Sequence, residues 1–434
     1  MTSPSGLPGL KDGTLREPAI LENGPLGRAL ETLDGAGEET RLVGGAVRDL
    51  ALGAPTEDFD LATTALPDEV IRRARAAGFG IALTGLSHGT VTLVVEGRPI
   101  ETTTLRQDVE TDGRRAKVSF GRDFVVDAMR RDFTINALSV GRDGRVHDPV
   151  GGLRDLAVGR VRFIGDAESR IREDYLRILR FFRFSARFGR GAIDPEGLGV
   201  ATRCRAGLAH LSRERVHAEV FRLLLEPHAA GVVGVMSEHG LLEPILGGVG
   251  YPGRLTKVVA IEAHRGGKDP LLRLAALAVL IWEDAERLGE RLRLSVAERG
   301  RVKAAASTLE RLHGIDKPPP PADLLKLLHW AQRRASRDAL LLAQAESRAC
   351  ADDPAFAAAD RFLAESVEPK LPIRGADVLA RGVSPGPKVG EILGRIEEMW
   401  VETGFPCEPE AVSRILDQAI GEDAMPRSQG ETPT

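Results

Sequence analysis

The chain has 434 residues, 42% of them hydrophobic, and a net charge of −4 from 59 lysines and arginines against 63 aspartates and glutamates. Its three cysteines are far apart and form no C-x-x-C pair, which argues against a disulfide framework or a cysteine zinc site and favours a reducing compartment. The longest apolar stretch, Leu274 to Trp282, is too short to span a bilayer, and the N-terminus does not resemble a signal peptide. We therefore expect a globular, cytoplasmic protein of roughly two to four folding units.

The pattern of the chain changes near Gly165. Short strand-like and helical runs alternate before this point, whereas the sequence after it is almost continuously helical in period until the proline-rich segment Lys317–Pro321. An α+β fold is expected, in which a head with a small mixed β-sheet precedes an all-helical remainder. Residues 1–24 and 421–434 lack periodicity and are rich in small and polar residues, so we expect both ends to be disordered.

The stretch Arg41–Thr64 begins with a short apolar strand and a glycine turn. Gly44 and Gly45 form this turn, and Ala46–Leu52 has the composition of a helix. The free N–H groups and the dipole at the start of such a helix favour an anion such as phosphate. Arg48, one turn further on, can reach the same anion with its guanidinium group.

Two aspartates follow in the same stretch, at the beginning of the next predicted strand, Phe59–Ala62. Asp58 and Asp60 are two residues apart, a spacing that places both carboxylates on one face of a strand, roughly 6.6 Å apart along the chain. Such a pair can hold two divalent cations at the separation of about 4 Å that in-line phosphoryl displacement uses. Taken alone, however, a D-x-D pair is more often a solvated or capping feature.

The complete pattern GGAVRDLALG-x4-DFDLAT at residues 44–63 resembles the signature of the tRNA nucleotidyltransferase and bacterial poly(A) polymerase family. The resemblance implies nucleotidyl transfer with two Mg²⁺ ions on Asp58 and Asp60. It also implies that Gly44, Gly45 and Arg48 contact the nucleotide.

Downstream, Gly89–Val95 and Pro99–Leu105 predict a β-hairpin with a turn at Glu96 and Gly97. The returning strand carries Glu101, which is as often a solvent-exposed edge residue as a buried functional one. The segment RPIETTTLR resembles the family strand that brings a third catalytic acid beside the metal pair, and this implies a catalytic role for Glu101. The charged segment Arg106–Val118 is expected to be a mobile loop, and it is similar to the flexible loop linked to the final A addition in full CCA-adding enzymes.

Ala128–Val140, AMRRDFTINALSV, resembles the family motif RRD-x-T-I-N-A-L. The resemblance implies that Arg131 meets the triphosphate and Asp132 the sugar, with Asn136 one helical turn later on the same side. Without the family resemblance, an Arg-Arg-Asp sequence more often forms a surface ion pair. The dipeptide His147–Asp148 has no further His or Asp ligands at a suitable spacing, so we interpret it as structural.

Seven arginines fall between Arg170 and Arg190, and Arg172–Gly189 predicts a single amphipathic helix. One arc of this helix is apolar and a separate arc carries arginines, which alone favours a solvated face. Asp174 lies one turn before Arg177, so an acceptor and a donor are expected side by side, matching the amino donor and ring-nitrogen acceptor shared by C and A. The apolar arc contains Tyr175, Ile178, Leu179, Phe182 and Ala186, and the basic arc contains Arg177, Arg180, Arg183 and Arg187.

The segment EDYLRILRFFRF resembles the E-D-x-x-R-x-x-R motif of class II CCA-adding enzymes. The resemblance implies that Asp174 and Arg177 select the base, while Arg180 and Arg183 position the nucleotide and its phosphates. It also assigns a nucleotidyltransferase head to residues 25–165, a neck with the recognition helix to 166–230, a body to 231–314 and a tRNA-binding tail to 315–420.

The function implied is template-independent addition of CCA to tRNA 3′ ends from CTP and ATP, with release of pyrophosphate and Mg²⁺ as cofactor. The partners expected are tRNA and the two nucleotides. A poly(A) polymerase shares nearly every motif and is the nearest alternative. If the chain were a catalytically silent RNA-binding protein, we would expect a damaged aspartate pair, whereas Asp58 and Asp60 are both present. A P-loop kinase is excluded because the sequence G-x4-G-K-[ST] is absent.

Overall fold

The computed structural model describes residues 6–112 and 115–424, which form two compact units. The first unit extends to Pro252 and includes Glu290–Arg293, and the second consists of Gly253–Gly289 and the residues from Leu294 onward. The first contains the mixed sheet and the second is helical, which confirms the α+β class. Within the described ranges, no helix is both long enough and apolar enough to cross a membrane.

The strands are β1 (Leu10–Lys11), β2 (Thr14–Leu15), β3 (Thr40–Val43), β4 (Asp60–Thr63), β5 (Gly80–Gly85), β6 (Thr90–Val95), β7 (Arg98–Thr104), β8 (Arg106–Asp112), β9 (Arg115–Phe120), β10 (Ser139–Val140) and β11 (Val146–His147). Helices up to the neck are α1 (Ala19–Glu22), α2 (Gly24–Leu33), α3 (Gly45–Ala51), α4 (Pro67–Ala76), α5 (Phe124–Met129), α6 (Gly152–Val158), α7 (Ala167–Glu173), α8 (Leu176–Phe188), α9 (Pro195–Arg203), α10 (Arg213–Leu225), α11 (Ala229–Glu238) and α12 (Glu243–Leu246). The later helices are α13 (Pro252–Arg265), α14 (Pro270–Ala278), α15 (Trp282–Arg291), α16 (Val296–Leu309), α17 (Pro321–Glu346), α18 (Pro354–Glu365), α19 (Gly375–Ala380), α20 (Pro387–Glu402) and α21 (Pro409–Ala424).

The main sheet has seven strands in the order β11-β10-β3-β4-β7-β6-β5. Neighbouring strands are antiparallel except β4 and β7, which run parallel and place Asp60 opposite Glu101. The predicted hairpin is confirmed as β6 and β7. Its turn residues Glu96 and Gly97 both have positive φ angles, 52° and 79°, as a type I′ hairpin turn requires.

Two predictions about irregular segments are wrong. The described residues of Arg106–Val118 are not a loop but most of the antiparallel hairpin β8–β9, in which Asp112 pairs with Arg115; residues 113 and 114 lie outside the described residues. Residues 6–24 are ordered as β1, β2 and α1 because leucines of this segment, among them Leu10 and Leu21, are buried. At the other end, Gly421–Ala424 continues α21, and the rest of the predicted disordered terminus lies outside the described residues.

The predicted recognition helix is in fact two helices. Asp174 is extended, with φ −155° and ψ 105°, and separates α7 from α8. The apolar arc is confirmed for α8, since Ile178, Leu179, Phe182 and Ala186 are all buried. Phe181 is buried as well and stacks on Phe163 with ring centroids 5.4 Å apart, so α8 is anchored to the segment that follows the sheet.

Candidate active site

The glycine turn lies where the sequence predicted it, between β3 and α3. Gly44 has φ 72° and ψ −129°, which favours glycine, and its N–H donates to the carbonyl oxygen of Leu138 at 2.9 Å. A Cβ atom on Gly44 would lie 2.9 Å from Nη1 of Arg131. The turn therefore needs glycine both for its backbone angles and for the close approach of Arg131.

The acidic pair flanks a buried phenylalanine. Asp58 and Asp60 are exposed and Phe59 is buried, so both carboxylates lie on the same side of the chain as it enters β4. Among the described residues, the carboxylates of Asp58, Asp60 and Glu101 form no hydrogen bond or ion pair. Partial burial, and then the negative charges of Glu101 and Asp58, raise the pKa of Asp60 against the opposing effect of Arg131.

Carboxylates without a direct hydrogen bond or ion pair fit a divalent cation. Mg²⁺ is usually bound by one or two carboxylates, with water and substrate phosphates completing its shell. Within the ranges that the structure covers, no group of three or more His, Cys, Asp or Glu side chains is arranged to hold a metal. Asp58 and Asp60 would therefore supply protein ligands to a site that the nucleotide completes.

A cavity of about 990 Å³ brings the predicted residues together. Eight arginines and six acidic residues line it, so its surface is strongly charged and slightly basic. Glu101 instead lines an adjacent cavity of about 500 Å³, which shares Asp60, Arg130 and Arg131 with the first. The predicted residues that line the larger cavity are Gly44, Gly45, Arg48, Asp58, Asp60, Arg131, Asp132, Asn136, Asp174, Arg177, Arg180 and Arg183.

Arg48 is more deeply engaged with the protein than the sequence suggested. It is 5% exposed, donates to Oδ1 of Asn136 at 2.6 Å and to Oδ1 of Asp49 at 2.9 Å, and its guanidinium lies 4.3 Å from the ring centroid of Phe188. Burial lowers its pKa, which Asp49 partly offsets. Arg48 thus stabilises the wall of the cavity through these contacts. Its contact with the nucleotide stays a prediction.

Asp132 is fixed by three groups. Nε and Nη2 of Arg180 both donate to its Oδ2, at 2.8 and 2.6 Å, and Asn136 donates to its Oδ1 at 3.0 Å. Burial would raise the pKa of Asp132, but Arg180 and the hydrogen bonds from Asn136 and the Phe133 N–H outweigh it and lower the pKa. The carboxylate is therefore a preorganised, ionised acceptor.

The contact between Asp132 and Asn136 was expected, but the helix that was to carry it is absent. Ala128–Val140 consists of the end of α5, a 3₁₀ turn at Thr134–Asn136 and strand β10. Arg131 donates to the carbonyl oxygen of Asn136 and to Asp127, at 3.2 Å each.

Asp174 and Arg177 both line the cavity, and each is held by other groups of the protein. Because Asp174 is extended, its Oδ1 accepts from the N–H of Leu176 at 3.1 Å, near the start of α8, and its Oδ2 accepts from Arg215 at 2.6 Å. Nη1 of Arg177 donates to Oε2 of Glu173 at 2.5 Å and to the carbonyl oxygen of Arg170 at 2.7 Å. Both groups reach the same space, and the prediction that they act side by side on the base stays a prediction.

The sequence did not single out Glu219, which organises the arginines of α8 from α10. Nε of Arg183 donates to its Oε2 at 2.7 Å, and Arg183 and Glu219 are only 8% and 3% exposed. Arg222 and Arg180 approach the other oxygen at 3.5 and 3.9 Å. The sequence does contain an indication of this role, because Glu219 lies within the apolar stripe of an amphipathic helix. Such a position rarely holds an unpaired acid.

Comparisons with known proteins identify the families and the proteins that this chain resembles. The family model described as Poly A polymerase head domain matches residues 40–162, and the model described as probable RNA and SrmB-binding site of polymerase A matches residues 192–249. The mitochondrial CCA tRNA nucleotidyltransferase 1 of Danio rerio is 34% identical over 88% of this chain and 88% of its own length. The CCA-adding enzyme of Levilactobacillus brevis is 31% identical over 89% of this chain and 96% of its own length.

A solved structure is also similar. The CCA-adding enzyme of Bacillus stearothermophilus in complex with CTP is 28% identical and has a TM-score of 0.70, covering 92% of this chain and 97% of that one.

Proposed function

This chain belongs to the family of CCA-adding tRNA nucleotidyltransferases, and we propose that the cavity lined by the aspartate pair and the arginines of α8 is its catalytic centre. The chain adds CCA to tRNA 3′ ends without a nucleic-acid template and uses CTP and ATP as substrates. The observation that carries the location is that one cavity contains the glycine turn, Asp58, Asp60, Asp174 and Arg177. A cytoplasmic location stays a prediction from the sequence.

Neither of the alternative functions, a poly(A) polymerase or a catalytically silent RNA-binding protein, is favoured. The two relatives described above align over 88% and 89% of the chain and are named for CCA transfer, not for poly(A) synthesis. A silent RNA-binding protein needs no acidic pair in this cavity, whereas Asp58 and Asp60 both line it and form no ion pair among the described residues.

In the reaction, the 3′-hydroxyl of tRNA attacks the α-phosphate of CTP or ATP, a new phosphodiester bond forms and pyrophosphate leaves. Enzymes of this family depend on divalent metal, and we propose two Mg²⁺ ions on Asp58 and Asp60, which would offset the negative charge of the phosphates. The turn at Gly44 and Gly45 lets the phosphates approach the backbone. Arg180 and Asn136 hold Asp132 in the cavity, where the family resemblance implies that it meets the ribose.

The chemistry of Asp174 and Arg177 supports base selection. Each carboxylate oxygen of Asp174 has two lone pairs and accepts one protein donor, so each can also accept from an exocyclic amino group. Arg177 donates to the protein through Nη1, which leaves its other N–H groups for a ring nitrogen. On their Watson–Crick edges, cytosine and adenine both present this amino donor and ring-nitrogen acceptor, whereas guanine and uracil do not.

Asp174→Ala and Arg177→Ala are expected to relax base selection, each letting UTP or GTP compete about tenfold more effectively. A buried polar group left without its partner costs about 1–3 kcal/mol, which is the penalty that rejects the wrong base in the intact site. Incorporation of each labelled nucleotide into tRNA lacking CCA measures the effect. The rate with CTP should fall as well.

The control variant is Arg172→Ala. Arg172 is an exposed arginine of α7 that pairs with Glu168 and does not line the cavity, so its removal should leave selection unchanged. Wild-type nucleotide ratios in both the Asp174 and Arg177 variants would contradict base reading by this pair.

A further inference from the structure

Two of the three tryptophans of the chain are exposed on the second unit. Trp400 is 1% exposed, whereas Trp282 and Trp330 are 41% and 45% exposed. Exposed tryptophans are enriched at binding surfaces because their large rings contribute contact area with little loss of side-chain entropy. The lysine ammonium of Lys303 lies 5.1 Å from the ring centroid of Trp282, whereas Trp330 lines a cavity.

This second-unit cavity, here called the Trp330 pocket, has a volume of about 350 Å³. Trp330, Arg311, Gln332 and Ser307 are among its lining residues, which carry an indole ring, a guanidinium, an amide and a hydroxyl group. Across the described ranges, the side chains of Arg311 and Gln332 form no hydrogen bond or ion pair. The pocket therefore presents a stacking surface together with unengaged donors and an acceptor.

The backbone at this pocket is strained. Gln332 interrupts α17 with φ 63° and ψ 164°, a region that residues other than glycine rarely adopt. Such a conformation costs on the order of 1–3 kcal/mol and is found preferentially at binding and catalytic sites. The strained residue lies in the lining of the same pocket as Trp330, which is two positions earlier in the chain.

We propose that the Trp330 pocket binds an unpaired nucleobase of the tRNA substrate. Proteins recognise unpaired RNA bases by stacking them on aromatic rings and arginine planes and by bonding their polar edges, and the pocket offers Trp330, Arg311 and Gln332 for these contacts. A free nucleoside triphosphate is a poor match, because Arg311 is the one charged residue of the wall. Since the ligand is tRNA, this role rests on the proposed function.

Trp330→Ala is expected to raise the KM for tRNA roughly tenfold, because stacking of one base on an aromatic side chain contributes that much affinity. The KM for CTP and the kcat should stay within twofold of wild type, since the reacting groups bind in the first unit. Trp330→Phe keeps an aromatic ring and should restore the KM for tRNA to within about threefold. Steady-state kinetics with full-length tRNA lacking CCA gives all three constants.

Trp282→Ala is the matched control, because it removes an equally exposed tryptophan that does not line the pocket. It should leave the KM for tRNA unchanged. Arg311→Gln provides a second test that does not remove a large side chain, and it should raise the KM for tRNA several-fold even if Trp330→Ala does not fold.

Three results would overturn the inference: an unchanged KM for tRNA in Trp330→Ala and Arg311→Gln, an equal rise in Trp282→Ala, or a rise in the KM for CTP instead. The last result would indicate a site for free nucleotide. All three require a wild-type enzyme that extends tRNA, whereas a wild-type protein that adds nothing to tRNA would contradict the proposed function itself.

Discussion

Asp60→Asn is expected to lower nucleotide transfer by about 10³-fold or more and, in metal-free buffer near neutral pH, to raise the thermal unfolding midpoint. Phosphoryl transfer depends almost entirely on positioning and charge stabilisation, so loss of a metal ligand removes most of the catalysis. The gain in stability has a separate cause. Burial and the charges of Glu101 and Asp58 raise the pKa of Asp60 in the folded protein, so its ionised form is destabilised there.

The raised pKa of Asp60 also determines how the stability of the protein depends on pH. A raised pKa means that the folded state binds its proton more tightly than the unfolded state, so wild-type stability falls as the pH rises from the ordinary pKa of aspartate through the raised value. The advantage of Asp60→Asn is therefore absent in strong acid and present at neutral pH. Thermal unfolding in EDTA at several pH values measures it.

Asp58→Ala should lose transfer to the same extent, since Asp58 is the second proposed ligand. Glu57→Gln is the matched control, because Glu57 is an exposed acid in the same loop that lines a different cavity. It should leave activity within twofold of wild type. Near-normal, Mg²⁺-dependent turnover in Asp58→Ala or Asp60→Asn would refute the metal assignment.

Glu219→Ala is expected to destabilise the first unit by about 3–5 kcal/mol. The substitution leaves the guanidinium of Arg183 buried without its carboxylate, and removal of one partner of a buried ion pair costs this much. Urea unfolding followed by circular dichroism measures the change. We also expect activity to fall, because Arg180 and Arg183 line the cavity.

Two variants separate this cause from a general effect on α10. Glu214→Ala removes an exposed acid of the same helix and should change stability by no more than about 0.5 kcal/mol. The double variant Arg183→Met with Glu219→Leu removes both charges and should recover most of the loss, since apolar residues of similar volume replace buried ion pairs at little cost. A loss below about 1 kcal/mol in Glu219→Ala would contradict the buried-pair account.

The sequence predicted the parts of the site that depend on short-range pattern. The strand, glycine turn and helix around Gly44 follow from local composition, and the shared face of Asp58 and Asp60 follows from the two-residue period of an extended chain. The parallel pairing that sets Glu101 opposite Asp60 has no local signal, and its position was inferred from resemblance.

The failures concern contacts between distant segments and one ambiguous residue. Arg215 and Glu219 of α10 bond to Asp174 and Arg183 of the cavity wall, and no spacing in the sequence relates these pairs. Asp174 fits a helical period but also suits the start of a helix, where its side chain accepts a backbone N–H, and the structure adopts this second option. The arginine face is therefore engaged with the protein, since Arg177, Arg180, Arg183 and Arg187 each pair with a carboxylate.

The most direct test is to sequence the 3′ ends of tRNA lacking CCA after incubation with purified protein, Mg²⁺, CTP and ATP. If a single active cavity selects the bases with protein side chains, we expect the addition of two cytidines and one adenosine, after which addition stops. Addition of adenosine without limit and without cytidine would contradict this account.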